Sequence, residues 1–244
     1  MPTAFFTGGA SWFCRETARL LLAEGWNVVM SDVNMKHLEE VVGELGAPST
    51  LESCRLDVCD LQAVRARIDS VVDKYGSIDA LVNVAGGTNH LGTERLPFHE
   101  TSPEFWEKVI RPGLYGVMHT THSVVPHMVS AGSGAIVSVA SGMALRGQAR
   151  MAVYSAVKHA VVGFSQAIAQ EVAPFGVRVN TIAPGSAESR WQPDLKAAHG
   201  GRASPLGRRT SAADVGNAIH FLLSSRASHI TGSCLDLSGG TLLH

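Results

Sequence analysis

The feature that most constrains this chain is a regular alternation of short apolar runs with longer amphipathic ones. Residues 3–7, 27–31, 80–83, 135–140 and 177–182 each read as brief, buried strands. Between them the apolar period becomes that of a helix over residues 15–24, 35–45, 61–75 and 153–173, the first of these closed by Gly25. A further strand ends at Asp57-Val58, a helix covers residues 212–224, and a last strand lies around residues 234–237. Strands and helices alternating at this spacing build βαβ units, which pair in parallel through right-handed crossovers. The expected fold is a single α/β, Rossmann-like, doubly wound domain over residues 1–244, its central parallel sheet covered by helices on both faces. Ser102-Pro103-Glu104 marks another helix start, and the pattern after it runs to about residue 129 through Pro112-Gly113, which should kink or interrupt it. Residues 184–210 are polar and rich in Gly, Pro and Arg, and a substrate loop or lid is expected at about 185–210.

Composition narrows the partners. A formal net charge of −1 gives no electrostatic reason to expect nucleic acid or an anionic membrane. No apolar run reaches spanning length and the chain enters its first strand directly, so a cytoplasmic protein is expected. Cys14, Cys54, Cys59 and Cys234 are scattered without a pairing or metal-ligand spacing, and the eleven histidines form no such cluster; no metal is expected. His119 and His122 share a helix face, where hydrogen-bonded or solvated imidazoles are the simpler expectation.

Tyr154 and Lys158 are four residues apart at the start of the helix over residues 153–173, so their polar ends reach one small volume. An ammonium beside a phenol favours the phenolate and lowers its pKa, suiting the tyrosine to exchange a proton with an alcohol or carbonyl oxygen. Ser141, at the end of the preceding strand, can hold that same oxygen.

With this set lying behind a dinucleotide-type half, nearly the whole chain resembles the short-chain dehydrogenase/reductase family. The resemblance implies that Tyr154 is the acid/base, that Lys158 supports it and binds the nicotinamide ribose, and that Ser141 holds the substrate oxygen. On the cofactor side it matches Thr7 and Gly8 of the glycine loop, Asp57-Val58 as an adenine-contacting pair, and Asn83-Val-Ala85-Gly86 as a near copy of an Asn-Asn-Ala-Gly signature. Asn180 and Pro184-Gly185 match the segment along the nicotinamide. Asp32, closing the second strand, is placed for a ribose 2′-hydroxyl and repels a 2′-phosphate; NAD is thus expected over NADP, and Asp32 has little use without that ribose. The implied reaction interconverts a secondary alcohol and a ketone.

Two departures keep other readings open. Where the family has Thr-Gly-x-x-x-Gly-x-Gly, this chain has Trp12 and Cys14 at the second and third glycine places. The indole either fills part of the cofactor space or packs outward from a shifted loop. At the helix kink, Gly113 stands where the family has an asparagine that holds a proton-relaying water. Trp12 and the Ile110-Arg-Pro segment are similar to halohydrin dehalogenases, which use no nicotinamide, whereas Lys158 is not, since that branch carries arginine there. The alternatives are a nicotinamide-independent lyase, dehalogenase or isomerase working through Ser141, Tyr154 and Lys158, and a non-catalytic binding protein on the same scaffold. Substrate shape falls to the loop carrying Glu188, Arg190, Trp191 and Arg202, which meet a polar group or face water. Ala156, Ala160, Val161, Phe164 and Ile168 give the Tyr154 helix more apolar surface than one packed face needs, so a homo-dimer or homo-tetramer is expected.

Overall fold

Seven parallel strands in the order β3-β2-β1-β4-β5-β6-β7 form the centre of the computed structural model, which describes residues 1–87, 95–187 and 204–242. They are β1 (Thr3–Thr7), β2 (Asn27–Asp32), β3 (Leu51–Arg55), β4 (Ala80–Asn83), β5 (Gly134–Val139), β6 (Val177–Pro184) and β7 (Cys234–Leu237). The order reverses between β1 and β4, which opens a crevice beyond their C-terminal ends. The helices are α1 (Trp12–Ala23), α2 (Met35–Glu44), α3 (Leu61–Tyr75), α4 (Pro103–Ile110), α5 (Gly116–Ala131), α6 (Ala152–Val172) and α7 (Ala212–Leu223).

Strand alternation sends successive side chains to opposite faces, and two cores result. Phe6, Met30 and Val137 meet Leu21 of α1, Leu38 of α2 and Ile219 of α7 on one side. Phe5, Val29 and Ile136 meet Ile68 of α3, Val124 of α5 and Val172 of α6 on the other. Phe5 and Phe6 are both fully buried, each contributing roughly 2–3 kcal/mol of transfer free energy. The expected single, doubly wound domain is what forms. Among the described residues no helix is long and apolar enough to cross a membrane.

Three boundaries differ from the sequence reading, each for a local reason. Helix α1 begins at Trp12 rather than at 15, because Ser11 caps it by accepting a hydrogen bond from the Cys14 N–H at 3.1 Å. Strand β3 stops at Arg55, so Asp57-Val58 lies in the turn that follows, where Asp57 Oδ1 accepts from the Cys59 N–H at 2.8 Å. Pro112-Gly113 neither breaks the helix nor leaves a loop: residues Arg111–Tyr115 form one π turn joining α4 to α5, closed by the Gly116 N–H on the Arg111 carbonyl. Glu188, Arg190, Trp191 and Arg202, with most of the expected substrate loop, lie outside the described residues.

Arg178 of β6 secures the far end of α7. Its guanidinium donates to the carbonyls of Leu222 (2.7 Å), Leu223 (3.2 Å) and Ser224 (3.3 Å), which the helix cannot satisfy itself. Arg178→Met should therefore cost about 2 kcal/mol in denaturant unfolding, the scale of a lost charge-assisted bond with carbonyls left unmet; a variant as stable as the parent would refute this assignment.

Candidate functional site

The crevice is built from backbones that approach more closely than side chains would allow. Gly8 has φ +67°, and a Cβ there would lie 2.7 Å from the Ala85 N–H. Thr7 Oγ1 accepts from the Val84 and Ala85 N–H groups at 3.3 and 3.4 Å, binding the end of β1 to the loop after β4. Gly86, at φ +98°, lies so near the π turn that a Cβ would collide with Gly113 Cα and come within 2.8 Å of its nitrogen. Thr7, Gly8, Ala85 and Gly86 thus meet at the crevice, and Pro184-Gly185 closes β6 beside it, with Gly185 against Ser238.

Asn83 and Asn180 are placed differently. The Asn83 amide is buried, accepting from Thr120 Oγ1 at 2.7 Å and donating to Ser138 Oγ at 3.2 Å, so it braces β4, β5 and α5. Asn180 donates to the Ile230 carbonyl at 2.8 Å and accepts from the Ser233 N–H at 3.1 Å, tying β6 to the approach of β7. Asp32 also has a use that needs no ribose: Oδ2 accepts from the Ala10 N–H at 3.0 Å and Oδ1 from the Asn34 N–H at 2.9 Å, pinning the glycine loop to the end of β2. Its retention in the sequence is therefore explained structurally as well.

The two glycine replacements point opposite ways. At 100° per residue Trp12 and Cys14 lie about 200° apart around α1. Cys14 faces the sheet, fully buried, its thiol 3.7 Å from the Thr7 carbonyl; burial pushes the thiol up to about 12, so it is a small neutral packing group. Trp12 is half-buried on the other side, with the Arg15 guanidinium 5.8 Å from its ring centroid. Arg15 is in turn held by Glu16 and, at 2.6 Å, by Glu44 of α2. Among the described residues no acceptor meets the Trp12 and Phe13 N–H groups at the start of α1. A left-handed Gly8 turn, unmet helix N–H groups, a carboxylate at Asp32 and an exposed Asp57 together suit a dinucleotide. Val58 is buried beneath the same rim, its carbonyl 2.9 Å from His119 Nδ1. No group of three metal-ligating side chains gathers among the described residues.

Ser141, Tyr154 and Lys158 come together at the ends of β5 and α6. Ser141 Oγ accepts from the Met143 N–H at 3.2 Å, and its hydroxyl lies near enough to that of Tyr154 to lower the phenol's pKa. Lys158 is only 2 % exposed; its Nζ donates to the Val139 carbonyl at 2.9 Å and lies 5.7 Å from the Tyr154 ring centroid. The electrostatics differ from the sequence expectation. Burial pushes the Tyr154 phenol up, and the force opposing it is the Ser141 hydrogen bond, not the ammonium. Burial also lowers Lys158 to about 8, since desolvation disfavours its charged form. A backbone carbonyl as the partner of Lys158 has no sequence signal, and neither does the threonine-serine brace around Asn83.

The family model described as enoyl-(acyl carrier protein) reductase matches residues 9–241. The chain is 36% identical over 242 residues to the cis-4-hydroxycyclohexanecarboxylate dehydrogenase of Sinomonas cyclohexanicum, covering 97% of this chain and 95% of that one. It is 34% identical over 241 residues to the 3-oxoacyl-(acyl-carrier-protein) reductase of Thermotoga maritima, covering 97% and 96%. The crystal structure of the Brucella melitensis 3-ketoacyl-(acyl-carrier-protein) reductase complexed with NADH superposes with a TM-score of 0.88 at 29% identity, over 98% of this chain and 97% of that one. With the fold, the strand order and these relatives in agreement, the chain belongs to the short-chain dehydrogenase/reductase family of oxidoreductases.

Proposed function

We propose that this protein interconverts a secondary alcohol and a ketone with NAD, and that Tyr154 is its acid/base. The observation that carries this reading is the joining of Tyr154 to Ser141 over a buried Lys158 at the mouth of the crevice. When bound, NAD supplies the hydride acceptor for the alcohol or the donor for the ketone. Thr7, Gly8, Ala85, Gly86, Pro184 and Gly185 line the cradle, with Trp12 at its edge, and Asp57-Val58 flank the adenine end. Asp32 places a carboxylate at the ribose position while holding the loop, which favours NAD over a 2′-phosphorylated cofactor.

Ser141 orients the substrate oxygen, and Tyr154 passes a proton to it in reduction or takes one in oxidation. The cyclic secondary alcohol named for the Sinomonas relative makes alicyclic alcohols and ketones the first substrates to try. Exposed Ala156 and half-buried Ala160 and Phe164 on α6 support association into a homo-dimer or homo-tetramer, which light scattering behind gel filtration would reveal.

Calorimetric titration should show micromolar binding of NADH and weaker binding of NADPH. Absence of both from folded protein would sink the hydride-transfer reading and favour the nicotinamide-independent lyase, for which Trp12→Gly should then create NADH binding. Tyr154→Phe should retain NADH affinity while kcat falls about 100-fold or more. Stability should also respond to Lys158. Its folded value of about 8 lies below the ordinary 10.5, so between these values the unfolded chain binds more protons and unfolding free energy rises with pH. Lys158→Met should remove that rise from denaturant melts taken between pH 8 and 10.

A further inference from the structure

The π turn does more than bend a helix. Gly113 is enclosed from two sides: the Gly86 backbone lies against one, and on the other a Cβ would stand 2.8 Å from Val157 Cγ1, where ordinary contact begins near 3.4 Å. Gly113 and Val157 are both buried. Val157 occupies α6 between the two polar residues of the site, three positions after Tyr154 and one before Lys158. Its methyl therefore stands in the space that any side chain at 113 would need, and Gly86 cannot yield because its own backbone touches the π turn.

We propose that Val157 is a positioning residue whose methyl, seated on Gly113, sets how closely α6 lies on the π turn and thereby holds Tyr154 on Ser141 and Lys158 on the Val139 carbonyl. Both polar contacts leave from α6 and end at β5 or just after it, so a displacement of α6 against the sheet stretches them together. The proposal rests on Tyr154 and Lys158 being the reacting pair, but its structural content is independent of any cofactor.

The test moves one methyl across the contact. Gly113→Ala places a carbon against Val157, and Gly113→Ala with Val157→Ala relieves it. The chain has three tyrosines, Tyr75, Tyr115 and Tyr154, so ring-labelled 13Cζ tyrosine gives three NMR signals, assigned with Tyr154→Phe. In the parent, the Tyr154 signal should carry a titration step near pH 8 from Lys158, identified by its loss in Lys158→Met. Gly113→Ala should displace that signal and move the step by about one pH unit, and the double substitution should restore both. An unchanged signal in Gly113→Ala, or a double variant that fails to recover it, would overturn the proposal. If Gly113→Ala does not fold, a folded double variant with the parent signal supports the contact, and an unfolded one refutes it. The measurement uses neither cofactor nor substrate, so it can fail while NADH binds and hold while NADH does not.

Discussion

A buried ammonium whose hydrogen bond goes to a backbone carbonyl organises this half of the molecule. Lys158 crosses from α6 to the last residue of β5 and places its charge within 6 Å of the Tyr154 ring without an anionic partner among the described residues. Such a group is costly to desolvate, and the protein accommodates it by lowering its affinity for a proton rather than by pairing it. That requirement explains why the surroundings are so tightly built. The π turn, the loop after β4 and α6 meet with no room for a side chain at Gly86 or Gly113.

The other half of the crevice is organised by backbone N–H groups. Asp32 and Thr7 spend their oxygens on loop nitrogens, holding the first turn after β1 against the loop after β4. The glycine replacements then become tolerable one at a time. Cys14 is accepted because its thiol is small enough to pack under β1, and Trp12 because the first turn of α1 presents it to Arg15 instead of to the sheet. The loop thus keeps its shape through hydrogen bonds where much of its glycine content is gone.

Much of this was legible in advance because it is written in period and spacing. The two-residue alternation of the strands and the apolar stripe of α3, read as residues 61–75 and found as Leu61–Tyr75, need no knowledge of neighbours. The Tyr154-to-Lys158 spacing announced a shared helix face, and family resemblance added Ser141. What the sequence does not show is where the asparagine side chains reach. Asn83 and Asn180 turn into the structure, where segments adjacent in space but distant in sequence supply their partners. The phenol was misjudged for the same reason: helical spacing brings Lys158 near, whereas burial, which depends on everything packed around Tyr154, sets the direction of its shift.

The sequence by itself determined the layered architecture, the family and the identity of the three polar residues, since local periodicity and short motifs carry that information. Tertiary structure alone decided which way Trp12 and Cys14 point, that Asp32 anchors the loop, that the kink is a continuous π turn, and that Val157 fills the space beside Gly113. The Asp32 and Val157 contacts join residues 22 and 44 positions apart, and no local pattern encodes them: they exist only once packing has brought the backbones together.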